Sequence, residues 1–176
     1  MAKVDKYLHN KYNFMIPVAG YNKGDIDIPE AIQRLAWHID NLPERYNKLS
    51  AEELHHKPAP DKWSKKEILG HLIDSAINNL KRFTEIQFLP QPYQIISYRQ
   101  NELVLVNNYQ HLAIEHLLLL WQSLNRQIIY VVQNIPANKL EFIVDPQYES
   151  KETKTLGWVI ADYIAHTEHH FRHIFS

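Results

Sequence analysis

The chain has no cysteine among its 176 residues, which excludes disulfides, thiolate metal ligands and a cysteine nucleophile. Any metal it holds must be bound through nitrogen and oxygen. Glycine is scarce, with four in the whole sequence, and that disfavours a turn-rich β architecture. No apolar run approaches the roughly 18 residues a membrane span needs, Leu117 to Leu120 being far too short. The formal net charge of −1, with a pI near 6.8, leaves no electrostatic footprint for DNA, RNA or an anionic membrane. The opening Met1-Ala2-Lys3-Val4-Asp5-Lys6 lacks the apolar core of a secretory signal, and the absence of cysteine agrees with a cytoplasmic home.

What is present is an ordinary globular composition, 45% hydrophobic and 22% charged. The length suits one domain over residues 1–176, with 1–28 an irregular segment punctuated by Pro17, Gly20 and Gly24. A first helix is expected from about Pro29 to Lys48, with Ile32, Leu35, Ala36, Ile39 and Leu42 as its apolar face. Pro43 should kink or split it. Ser50-Ala51-Glu52-Glu53 can cap a short further turn. Ser64-Lys65-Lys66-Glu67 is a capping box, with Trp63 and Ile68 placed as a hydrophobic staple, so a second helix should run to about Phe88 and stop at Pro90. A third is expected from about Asn107 to Ile135, apolar nearly all round at its centre and therefore the most buried. Phe142-Ile143-Val144 reads as extended. A fourth helix starts near Thr155 or Leu156 and runs to the C-terminus. Four long helices with short or moderate connections predict an all-α four-helix bundle.

The chemistry concentrates in that last helix, where His166, His169, His170 and His173 are four of the eleven histidines. At about 100° per residue, His166, His170 and His173 fall within roughly 60° of one another, with His169 just beside them. Two imidazoles four residues apart on one face can grip one transition-metal ion. Ile160, Ile164, Phe171 and Phe175 form an apolar arc, and Ala161, Ala165, Glu168 and Arg172 read as the solvent-facing one. The histidine arc, with Asp162 and Tyr163, is a third surface that suits the wall of a polar cavity. A histidine-rich tail that meets metal only adventitiously is the bland alternative, and the interleaved apolar residues argue against it.

On the second helix His71, Ser75, Asn78 and Arg82 share roughly 60° of arc, with Asp74 at its edge. Opposite them lie Leu69, Leu72, Ala76, Leu80 and Phe83. This stripe reads equally well as a solvated face carrying a surface histidine. Two histidines from one helix make half a site, and a third nitrogen from a facing helix would leave an ion with open positions. Such an ion can lower the pKa of a bound water or thiol. Binding should weaken as pH falls toward the ordinary histidine pKa of about 6.5. Asp162, Asp74, Tyr163, His169 and His173 are candidates to support the ligands. Asn78 and Arg82 are candidates for polar or anionic substrate groups. His9, His38, His55, His56, His111 and His116 read as structural or surface. Trp37, Trp63, Trp121 and Trp158 read as core or staple residues. No Gly-rich phosphate loop, serine elbow or carboxylate pair at motif spacing occurs.

Lys62-Trp63-Ser64-Lys65-Lys66-Glu67-Ile68-Leu69-Gly70-His71-Leu72-Ile73-Asp74-Ser75 resembles the second-helix signature of the DinB-like superfamily, four-helix bundles with a three-histidine metal site. His166 to His173 resembles its last-helix signature, a histidine followed four residues later by another. The resemblance is closest to the YfiT-type branch, metal-dependent proteins described as hydrolases and as bacillithiol S-transferases. It extends to Ile16-Pro17 through Tyr21, Asn41-Leu42-Pro43, Asn78 with Arg82-Phe83, Asp145-Pro146 and Thr155-Leu156. By position it implies His71, His166 and His170 as ligands of one divalent ion, and a homodimer; three imidazole nitrogens suit zinc or nickel. The chain departs from the branch at Asp145, where a histidine is usual, and at Tyr98-Arg99-Gln100, where acidic residues follow the tyrosine. Both departures fall in connections expected near the mouth of a pocket, so they bear on substrate. The leading expectation is a metal-dependent enzyme that activates a low-molecular-weight thiol for transfer to an electrophilic small molecule. A hydrolase using metal-bound water is the alternative, and a non-catalytic metal-binding dimer the third reading.

Overall fold

The computed structural model describes residues 26–147 and 152–176. The expected irregular segment therefore lies almost wholly outside the described residues, as do His9 and the motif from Ile16 to Tyr21. Four long helices dominate: α1 (Ile28–Asn47), α3 (Lys65–Glu85), α5 (Ile114–Gln133) and α6 (Leu156–Ile174). Two short ones, α2 (Ala51–His55) and α4 (Gln100–Val106), lie in the connections. α5 packs against α1 and α3, and α6 packs against the same two helices. The result is the expected four-helix bundle.

Local chemistry sets the helix starts. Asp27 caps α1 by accepting from the Glu30 amide. Ser50 and Ser64 each complete a reciprocal capping box, with Glu53 and Glu67 respectively. Thr155 caps α6 by accepting from the Trp158 amide. Pro43 neither splits nor ends α1, which continues to Asn47. A proline offers no N–H to the carbonyl four residues earlier, here that of Ile39. That carbonyl instead accepts a 2.6 Å hydrogen bond from Nε2 of Gln122 on α5. A side chain of the neighbouring helix thus takes the place of the missing backbone donor.

Three expectations change. The third long helix begins at Ile114, because Asn108 adopts a left-handed conformation (φ 54°) and a 3₁₀ turn at Tyr109–His111 separates α4 from α5. α5 is not the most buried helix, since Leu119 and Tyr130 are exposed on it while α3 buries both apolar and polar residues along most of its length. The all-helical reading also gains a small sheet: β1 (Tyr93–Gln94) pairs parallel with β2 (Ile143–Asp145), which pairs antiparallel with β3 (Lys154–Thr155). The sheet leads directly into α6, whose first amides are met by the carbonyls of Phe142 and Leu140.

Gly70 fixes how the 3₁₀ turn meets α3. A Cβ at this position would stand 2.1 Å from Cδ2 of Tyr109, so only glycine lets that ring lie on the helix. Tyr109 then donates a 2.7 Å bond to Oδ1 of Asp74, which also accepts from Nδ2 of Asn107 at 3.0 Å.

Candidate metal centre

The capping box at Ser64 sets the start of α3, two helical turns before His71. That histidine is buried, 1% exposed, with its ring against Trp63 at 4.8 Å between centroids. The stripe on α3 is therefore no solvated face: Asp74 and Ser75 are buried with it, and Asn78 and Arg82 are half-buried. From α6, His166 and His170 reach the same point. Nε2 of His166 lies 3.3 Å from Nε2 of His71 and 3.1 Å from Nε2 of His170. All three ligand nitrogens lie within 4.8 Å of one another, the only such cluster of metal-binding groups among the described residues.

The donor set fits a transition-metal ion. Tetrahedral zinc with bonds of about 2.0–2.1 Å to nitrogen sets its ligands roughly 3.3 Å apart. Burial is the largest influence on each ring. It depresses His71 to a pKa of about 4, with help from His166, and His166 to about 4, with help from His169. His170 falls to about 3, again through burial first and then through the surrounding imidazoles. All three are neutral at pH 7, the state a metal ligand requires. Proton competition therefore belongs near pH 4, below the window that the ordinary histidine pKa predicts.

Beside these rings lies a cavity of about 230 Å³ walled by Ser75, Asn79, Arg82, Tyr98, Trp158, Asp162 and Tyr163, among others, and by His166 itself. Asp162 is the only carboxyl among its described walls, and burial raises its pKa. Tyr98, Gln100 and Pro146 also line it, so both departures from the branch pattern come to this cavity or its edge. Arg82 is held in place as Nη2 donates to the Ile96 carbonyl at 3.0 Å and Nη1 to Oδ1 of Asn79 at 3.4 Å. Asn78 does not line this cavity. Its side chain donates to the Asp74 carbonyl, and it faces a neighbouring hollow with Lys81, Glu85 and Tyr93.

The candidate supporting residues divide. Asp74 binds Tyr109 and Asn107 through Oδ1, while its Oδ2 and Nδ1 of His71 are buried without a protein partner among the described residues. Tyr163 is tied away from the centre, donating to Oδ1 of Asn125. His169 and His173 are exposed. Glu168 and Ala161, expected to face solvent, are buried. Oε1 of Glu168 accepts from Nε of Arg34 at 3.0 Å and lies 3.5 Å from Nε2 of His38, both on α1. His38, read as structural or surface, thus serves the α1–α6 interface.

Asn79, Ser97, Trp158 and Val159 of the wall escaped the sequence reading. Trp158, Asp162, His166 and His170 form one row at intervals of four along α6, a signal that could have placed Trp158 at the cavity. Tyr98, set near the pocket mouth by the resemblance alone, lies in an irregular connection where no periodicity operates.

No curated protein matches the sequence. The fold is similar to a solved structure of YfiT from Bacillus subtilis, described as a probable metal-dependent hydrolase with an unusual four-helix bundle topology. The two share 20% identity and a TM-score of 0.75, over 90% of this chain and 88% of that one. A model of the DinB superfamily matches residues 34–174, a span that takes in all three converging histidines. The chain belongs to the DinB superfamily.

Proposed function

We propose that the protein is a metal-dependent enzyme in which His71, His166 and His170 hold one divalent ion, zinc or nickel, at the wall of a small polar cavity. The observation that carries this reading is His166, whose ring belongs both to the nitrogen cluster and to the cavity lining. His71, His166 and His170 would hold the ion through three neutral nitrogens, and such an ion would supply the Lewis acidity that makes a thiol or a water nucleophilic near neutral pH. Arg82 offers a fixed cation for a polar or anionic part of the substrate. Asp162, its pKa raised by burial, is placed to accept or return a proton. The cavity volume fits a small molecule rather than a polymer.

The nucleophile of the leading reading is a low-molecular-weight thiol, transferred to an electrophilic small molecule. The chain has no thiol of its own, so the sulfur arrives as a substrate. Hydrolysis by water is the second reading, favoured by Asp162 in the wall and by the description given to YfiT. Metal-loaded, untagged protein should consume an electrophile only when a small thiol is added. Ester or amide cleavage without thiol transfers support to hydrolysis, and inactivity in both assays leaves the non-catalytic metal-binding bundle. Asn78, facing another hollow, is the weaker substrate contact. A homodimer and a cytoplasmic location complete the proposal. Exposed Ile96, Leu105 and Val106 offer apolar surface for the dimer, and a monomeric mass by sedimentation equilibrium would remove it. None of the helices among the described residues is long and apolar enough to cross a membrane.

A further inference from the structure

One helical turn beyond the centre, α6 repeats the same bite on its outer surface. His169 and His173 are both exposed, four residues apart, with Nε2 atoms 3.2 Å from each other. Their ring centroids are 4.6 Å apart with planes at 70°. The inner pair, His166 and His170, shows nearly the same figures: 3.1 Å, 4.6 Å and 75°. Equal spacing on one helix has produced two equivalent pairs of converging imidazoles, one lodged in the bundle and one open to water.

We propose that His169 and His173 form a second, solvent-facing site for a divalent transition metal, bound through two imidazole nitrogens with water at the remaining positions. Imidazole pairs suit zinc, nickel and copper, and 3.2 Å is close to the edge of a tetrahedral zinc site. The surroundings contribute charge of both signs. His173 lines a groove of about 240 Å³ with Glu52, Glu53, His56 and Lys65, while Arg172 lies on the same turn of α6. The two glutamates favour a cation, and the lysine and arginine oppose it. No third donor belongs to the pair, since the only cluster of three among the described residues is the inner one. Two bonds in place of three make this the weaker site. It stands one ring away from the centre, the His169 and His170 centroids being 5.5 Å apart. An ion held there is next to the inner ligands, on the side open to solvent. Binding at this outer pair does not depend on whether the bundle is an enzyme.

Calorimetric titration of metal-free, untagged protein with nickel or zinc near neutral pH tests it. Wild type should take up a tight ion and then a weaker second one. His169→Gln/His173→Gln, two exposed changes, should keep the tight ion and lose the weaker. His71→Ala should weaken the tight phase and leave the weak one in place. A wild-type titration that saturates at one ion, or a double variant that still binds two as wild type does, overturns the proposal.

Discussion

Nε2 of His71 on α3 lies 3.3 Å from Nε2 of His166 on α6, a contact between residues 95 positions apart in the chain. Neither helix alone makes the site. His71→Ala should therefore weaken metal binding at the centre sharply while leaving the bundle folded. Elemental analysis after dialysis reads the first outcome and circular dichroism the second. In wild type, free metal at about a hundredfold above its dissociation constant should stabilise the fold by about 2.7 kcal/mol, a gain the variant should lack. Retention of wild-type affinity by His71→Ala would refute the centre.

The depressed pKa values set a pH dependence for the metal-free protein. In the unfolded chain these histidines titrate near 6.5, whereas in the fold burial holds His71 and His166 at about 4 and His170 at about 3. Between those limits the unfolded state binds more protons, so stability rises with pH. It should be fully present above about pH 6.5, fall as the pH drops toward 4, and level off below the folded values. Urea unfolding across that range measures the slope. Replacing all three rings by glutamine should flatten it, and an unchanged slope would show that the rings are not buried together.

Asp162 gives a test that separates proton handling from metal binding. Asp162→Asn keeps the shape of the side chain and removes its acid–base chemistry. Metal content should be unchanged, and turnover in whichever assay responds should fall by about 10²–10⁴-fold. Full activity in this variant assigns the residue to the cavity wall alone.

Gln122 and Pro43 can be tested as a pair. Gln122→Ala leaves the Ile39 carbonyl without its donor, which should cost about 1–3 kcal/mol by denaturant titration. In a Pro43→Ala background position 43 regains an N–H four residues from that carbonyl, so the same substitution should cost markedly less. Equal costs in the two backgrounds would deny the compensation.

Much of this was legible before any coordinates. The capping boxes at Ser50 and Ser64 and the starts of α1, α3 and α6 follow from local hydrogen-bonding chemistry, which the sequence carries directly. Spacing also brought His166 and His170 to one face, but it set His173 with them, and that residue is exposed and paired with His169 instead. Nor could spacing say that the polar stripe through His71 is buried, because a cavity wall and a solvated surface share the same periodicity. Only the likeness in the segment from Lys62 to Ser75 pointed to His71 as their partner. Glu168 was misplaced for a related reason: its burial depends on Arg34 and His38, which lie on a helix distant in sequence. The short helix α4 and the strands β1 and β3 escaped notice because elements of two to seven residues leave little periodic trace, whereas Phe142-Ile143-Val144, read as extended, overlaps β2.

The clamp on Glu168 has a bearing on how the histidines of α6 are aimed. This residue sits along α6 between His166 and His170 but is gripped from the far side, by Arg34 and His38 of α1. That grip resists any roll of the helix about its own axis and does so without reference to a bound ion. The direction in which His166 and His170 project toward α3 is thus set from the opposite side of the helix, by residues that take no part in the nitrogen cluster.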